Sequence, residues 1–233
     1  IYIRGHARDY DLWRQQGVSG WSFADVLPYF KRAEGNVRGT DPFHGGDGPL
    51  VVSDSAHDHD LFDGFVSAGV EAGYPANPDF NGPEQEGFGR YQFTIRNGRR
   101  WSAAAAYLKP VLSRPNLTLE TGAFSQKVEF EGDRAVGVEY TRGNRLYAAR
   151  AIQEVILSGG VINSPQLLML SGIGPADDLK QLGIDPLLDR RDVGGNLQDH
   201  FCVHTVHASN TPTLTDELVR LERGAISVAR AFV

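Results

Sequence analysis

Cysteine is almost missing. The 233 residues include one, Cys202, and a lone thiol closes no internal disulfide. That excludes a disulfide-stapled framework and fits a reducing, cytoplasmic setting, with Cys202 read as a buried structural thiol. No apolar run is long enough to cross a bilayer, and the first residues do not have the form of a signal peptide. Basic charge is not in excess either. The 23 Lys and Arg face 29 Asp and Glu, a net charge of −6 that argues against a nucleic-acid or anionic-membrane surface. Also missing is a Gly-x-Gly-x-x-Gly turn after a leading strand, the usual cradle for a dinucleotide pyrophosphate.

What is present is ordinary for a soluble globular chain, 41% apolar and 22% charged. The length suits one large or two small domains. Ser22-Phe-Ala-Asp25 reads as a capping box, with Val26, Tyr29, Phe30 and Ala33 as the apolar stripe of the helix it opens. Pro28 should kink that helix or hold it to a few turns. Residues 35–56 read as an irregular excursion, and 74–100 as loop-rich. A second helix is expected over 58–73, with His57 and His59 at its solvated start and Gly73 as its stop. A third, over 102–113, opens with four alanines and should end or bend at Pro110.

After Pro115 the pattern turns to strands, at 117–120, 126–131, 135–141 and 146–149, with Gly132-Asp133 and Gly143-Asn144 as turns. An apolar strand at 154–157 stops at a Gly pair, and a helix begins near Asn163. That helix ends at Gly172 and Gly174, and another runs from Pro175 to Leu182. Strand–Gly–helix units beside a β-meander point to an α/β or mixed α+β nucleotide-binding architecture. Leu214–Val233 reads as an amphipathic helix that stops in mid-pattern, and Ile1-Tyr-Ile-Arg-Gly5 starts extended without an initiator Met. A piece of a longer chain is expected.

The string Ser158-Gly-Gly-Val-Ile-Asn-Ser-Pro-Gln-Leu-Leu-Met-Leu-Ser-Gly-Ile-Gly174, followed by Val193-Gly-Gly-Asn-Leu-Gln-Asp-His200, resembles the second signature of the glucose-methanol-choline (GMC) flavin oxidoreductases. Tyr2-Ile-Arg-Gly-His6, Gly20–Phe30, Gly98-Arg-Arg-Trp-Ser102, Arg114-Pro-Asn-Leu117 and Arg134–Glu139 also match, in the family's order. The resemblance implies a partial Rossmann-like FAD-binding domain over 1–206, with 36–100 reaching toward the substrate side and a substrate domain beginning over 207–233. It implies FAD as cofactor and a primary alcohol, choline or an aliphatic one, oxidised to the aldehyde by hydride transfer. The electron acceptor, oxygen or a quinone, and any membrane association are left open. The family's catalytic His pair belongs to a C-terminal portion that this chain does not reach, so no catalytic residue is assigned and the chain by itself is expected to be inactive. A family member with non-redox, hydroxynitrile lyase-like chemistry and a non-enzymatic binding module are the alternatives.

By the same resemblance, Ser125 occupies the adenine-contacting position, through its backbone, and Ser158, Gly159 and Gly160 form the turn that approaches the ADP moiety. Read from the residues alone, the glycines could equally serve close strand–helix packing. Arg99 and Arg100 are candidates for an anion contact or for plain surface solvation, while Trp13, Trp21, Trp101 and Tyr107 read as packing aromatics. His200, His204 and His207 would align for zinc on a helix. Val203, Thr205 and Val206 favour a strand instead, and no metal is expected.

Overall fold

Backbone N–H groups at the start of the chain's first two helices are met by nearby side chains. In the computed structural model, which describes residues 1–199, 201–213 and 216, the Ser22 backbone N–H donates to Asp25 Oδ2 at 3.0 Å. The Asp25 N–H donates in return to Ser22 Oγ at 3.3 Å, which completes the expected box. The helix it opens, α2 (Phe23–Ala33), keeps Pro28 inside and lasts 11 residues. A second box, His6 with Asp9, opens α1 (Ala7–Gln15), a helix the sequence reading did not anticipate.

The described residues divide into two compact units, 1–117 with 209–213 and 216, and 118–208. In the first, α2 runs directly into β1 (Glu34–Asn36), which pairs in parallel with β2 (Leu50–Val52), Glu34 opposite Leu50. The excursion expected at 35–56 therefore carries a short buried ladder. Its connection packs against the end of α2 so tightly that a Cβ on Gly48 would lie 2.4 Å from the Ala33 carbonyl carbon. The next helix, α3 (Asp60–Glu71), is capped by His59, whose Nδ1 accepts from the Leu61 N–H at 3.1 Å, and is followed by Gly73 at φ 91°. Within 74–100, β3 (Ile95–Arg96) and β4 (Arg99–Arg100) form a hairpin. Asn97 and Gly98 both take positive φ, 51° and 68°, as an Asn-Gly two-residue turn requires. The expected helix over 102–113 is irregular: a π-helical turn at Ala104–Leu108, then a 3₁₀ turn at Lys109–Val111. Pro110 has no N–H to give, so the bonding pattern widens before it and tightens around it.

The second unit centres on an antiparallel meander, β5 (Ala123–Glu131), β6 (Arg134–Arg142) and β7 (Arg145–Arg150). Gly132 and Gly143 stand first in its two-residue turns at φ 63° and 58°. Residues 117–120 and 154–157 are not strands, because no described neighbour pairs with them. Helix α4 (Gly160–Leu170) begins three residues before the expected Asn163 and ends at Ser171, with Gly172 at φ 87°. Ser171 Oγ accepts the Val128 N–H at 2.8 Å and donates to the Leu167 carbonyl at 2.5 Å, so one hydroxyl fastens the end of α4 to β5. Then β8 (Ile173–Gly174) pairs in parallel with β9 (Leu188–Asp189) around α5 (Ala176–Gln181). Residues 201–207 form no strand, which leaves Cys202 exposed rather than buried as its type suggested. The amphipathic pattern of Leu214–Val233 lies outside the described residues.

Candidate nucleotide-binding cavity

Segments of the second unit, with Val138 of β6 among them, line a cavity of about 510 Å³, within the usual range for small-molecule sites. The start of β5 supplies Phe124 and Ser125. The extended segment before α4 supplies Ser158 and Gly159, and the first turn of α4 supplies Asn163 and Ser164. Ser125, Ser158 and Gly159 of the sequence-based set thus meet at one site. Gly160 does not line it.

The two glycines are required for different reasons. A Cβ on Gly159 would sit 3.1 Å from Asn163 Cβ and 3.3 Å from the Ser164 nitrogen, so a larger residue would push open the first turn of α4. Gly160 has open space around its Cβ position but takes φ 86°, a conformation that L side chains rarely adopt. Close packing therefore explains Gly159, and backbone freedom explains Gly160. The Gly159 N–H donates to Ser164 Oγ at 3.0 Å, which bends the entry turn over the helix start.

No side chain caps the N-terminus of α4, which leaves first-turn N–H groups for water or a polar ligand. Ser125 stands where the β5–β6 register shifts before Lys127, a bulge that loosens the ladder beside the cavity. Among the described residues, no ionisable side chain lines the cavity. Apolar walls, hydroxyls, amides and backbone groups suit a flat, neutral ring system with a polar sugar, the adenosine end of a dinucleotide. They offer no general acid or base.

The sequence reading missed Asn163 and Ser164. The signal was there, since they stand three and four residues past Gly160, one helical turn on. Other candidates are placed elsewhere. Arg99 and Arg100 are exposed on β4, Trp101 Nε1 donates to the Pro49 carbonyl at 2.8 Å, and Trp13 packs edge-on against Trp21 at 5.9 Å. The Tyr107 hydroxyl lies 3.5 Å from the Ala33 carbonyl. Asp58, beside His57 and His59, is bonded by Arg90 at 2.8 Å, which holds its carboxyl below the usual range. His204 and His207 lie in the irregular segment 201–213, and His200 is outside the described residues.

Comparison with known proteins identifies the family and the fold. The family model for GMC oxidoreductase matches residues 1–202. The chain is 52% identical to the oxygen-dependent choline dehydrogenase of Brucella suis biovar 1, over 98% of this chain and 42% of that protein. It is 52% identical to the mitochondrial choline dehydrogenase of Homo sapiens, over 91% of this chain and 36% of that protein. Among solved structures, pyridoxine 4-oxidase from Mesorbium loti superposes with a TM-score of 0.75 at 35% identity, covering 82% of this chain and 38% of that one. A formate oxidase gives 0.75 at 29% identity, covering 85% and 36%. The chain thus spans less than half the length of these curated relatives. By fold and by sequence, it belongs to the GMC oxidoreductase family.

Proposed function

We propose that the protein containing this chain is an FAD-dependent dehydrogenase that oxidises a primary alcohol, choline first among candidates, to the aldehyde. The observation that carries this reading is the convergence of Ser125, Ser158 and Gly159 on one neutral cavity, in a chain 52% identical to choline dehydrogenases. FAD, when bound, supplies an isoalloxazine ring that accepts hydride from the alcohol carbon. The residues of this chain do the holding. Phe124 and Val155 offer apolar walls to the adenine ring, while Ser158, Asn163 and Ser164 offer hydrogen bonds beside the uncapped start of α4. Gly159 lets the backbone lie against the first turn of α4 with no side chain between them.

Among the described residues, no group lining the cavity is a base that can take the hydroxyl proton of an alcohol. The chain alone is therefore proposed to bind and orient, and to turn nothing over. Oxygen is proposed as the electron acceptor, in keeping with the oxygen-dependent name of the Brucella relative, and a quinone is the alternative. The test is the visible spectrum of the full-length protein, without oxygen, before and after choline is added. Loss of the oxidised-flavin bands supports the proposal. A protein without flavin, or flavin bands that neither choline nor a simple primary alcohol bleaches, contradicts it.

A further inference from the structure

His44 sits in the connection between β1 and β2, 3% exposed, with a carboxylate on each side of its ring. Nδ1 lies 2.9 Å from Glu34 Oε1, and Nε2 lies 2.9 Å from Asp79 Oδ2. An ionised carboxylate can only accept, and a neutral imidazole donates from one nitrogen only. Two such bonds therefore need an extra proton, on the ring or on one of the acids. Glu34 is fully buried and also accepts from the Arg4 guanidinium and, at 2.8 Å, from Asn36 Nδ2, so its carboxyl oxygens already face three donor groups with His44. Asp79 is partly open to solvent and also accepts the Asn81 N–H at 3.0 Å.

We propose that His44 is held as an imidazolium whose two N–H groups bind Glu34 and Asp79, and that this proton fastens the 41–46 loop to β1 and to the 77–81 segment. Charge supports the assignment. Arg4 and His44 as cations balance Glu34 and Asp79, whereas a neutral ring leaves the cluster with one negative charge in excess. The surrounding groups are already committed. Asp41 accepts the Phe43 and His44 N–H groups at 2.7 Å each, and Lys31 Nζ binds the Asp41 and Pro42 carbonyls. The Arg38–Asp54 pair reaches the cluster through Gln92 and Asn36. Arg4 holds the same loop from the other side, donating to the Phe43 carbonyl at 2.8 Å.

Burial pushes the His44 ring down, but its bonds to the two carboxylates outweigh this and hold it above 6.5. For a group raised on folding, the stabilisation is complete below the unfolded value and is lost as pH rises through the folded one. The test is deuterium uptake at the His44 C2–H, read by mass spectrometry against pH in the full-length protein, with amide protection over 41–46 followed alongside. The expected midpoint lies above 6.5, moves down in Asp79→Asn, and coincides with loss of amide protection. A wild-type midpoint at or below 6.5, or one that Asp79→Asn leaves unchanged, overturns the imidazolium. Protection that stays constant through the midpoint overturns the fastening. If Asp79→Asn does not fold, the wild-type midpoint and protection decide.

Discussion

In residues 1–117 the side chains most withdrawn from water are largely polar, among them Arg4, Glu34, Asn36, His44 and Gln92. In residues 118–208 they are Val128, Val136 and Leu179, packed under a three-stranded meander and two helices. The first region has strands of two or three residues, too short to hold a fold by ladder bonds alone. Its segments are joined instead by buried side chains that satisfy one another across long stretches of sequence. The second region joins neighbours in sequence by regular hydrogen bonding and leaves a neutral cavity beside its helix start. One region is specified by a polar network, the other by local pattern.

Breaking the network should give the largest effect. Glu34→Gln removes the shared carboxylate and leaves the Arg4 and His44 cations buried without it, at a cost of about 3–5 kcal/mol. Chemical unfolding of the full-length protein, with amide exchange to localise the change, should place the loss in 1–117. Next is Gly48→Ala, whose Cβ would lie 2.4 Å from backbone at the end of α2, with a cost of about 2 kcal/mol in the same region.

The corresponding changes in 118–208 are milder. Ser171→Ala leaves the Val128 N–H without its acceptor and should cost about 1–2 kcal/mol, read as faster exchange at the join of α4 and β5. Tyr147→Ala removes the stacked pair with Tyr140, whose rings are 5.5 Å apart, and should cost about 0.5 kcal/mol. If Glu34→Gln proves no worse than Tyr147→Ala, the contrast between the regions fails.

The same contrast decides what the sequence could reveal. Caps and turns were legible because their logic spans three or four residues, as with Ser22 and Asp25, or with Gly132 opening a hairpin turn. Only a small part of the cavity was, where Ser158 and Gly159 precede a helix start. The short parallel pairs β1–β2 and β8–β9 were not, because a strand of two or three residues exists only where a partner from elsewhere in the chain meets it. The same dependence explains the apolar run at 154–157, which has strand composition and no described partner. The network was hidden for a similar reason: Arg4 meets Glu34 across 30 residues and Asn81 across 77. A lone Arg, Glu, His or Asp carries no local sign of burial. The exposure of Cys202 follows from the missing strand around it, which no property of the thiol foretold.

The cavity between β5 and α4 is proposed to hold the adenosine end of FAD. Flavin content of the purified full-length protein, compared with its Ser158→Trp variant, tests it most directly. Bound flavin is expected in the first, and at least about tenfold weaker binding in the second, roughly 1.4 kcal/mol, with the unfolding of residues 1–117 unchanged. Equal flavin affinity in both proteins would contradict it.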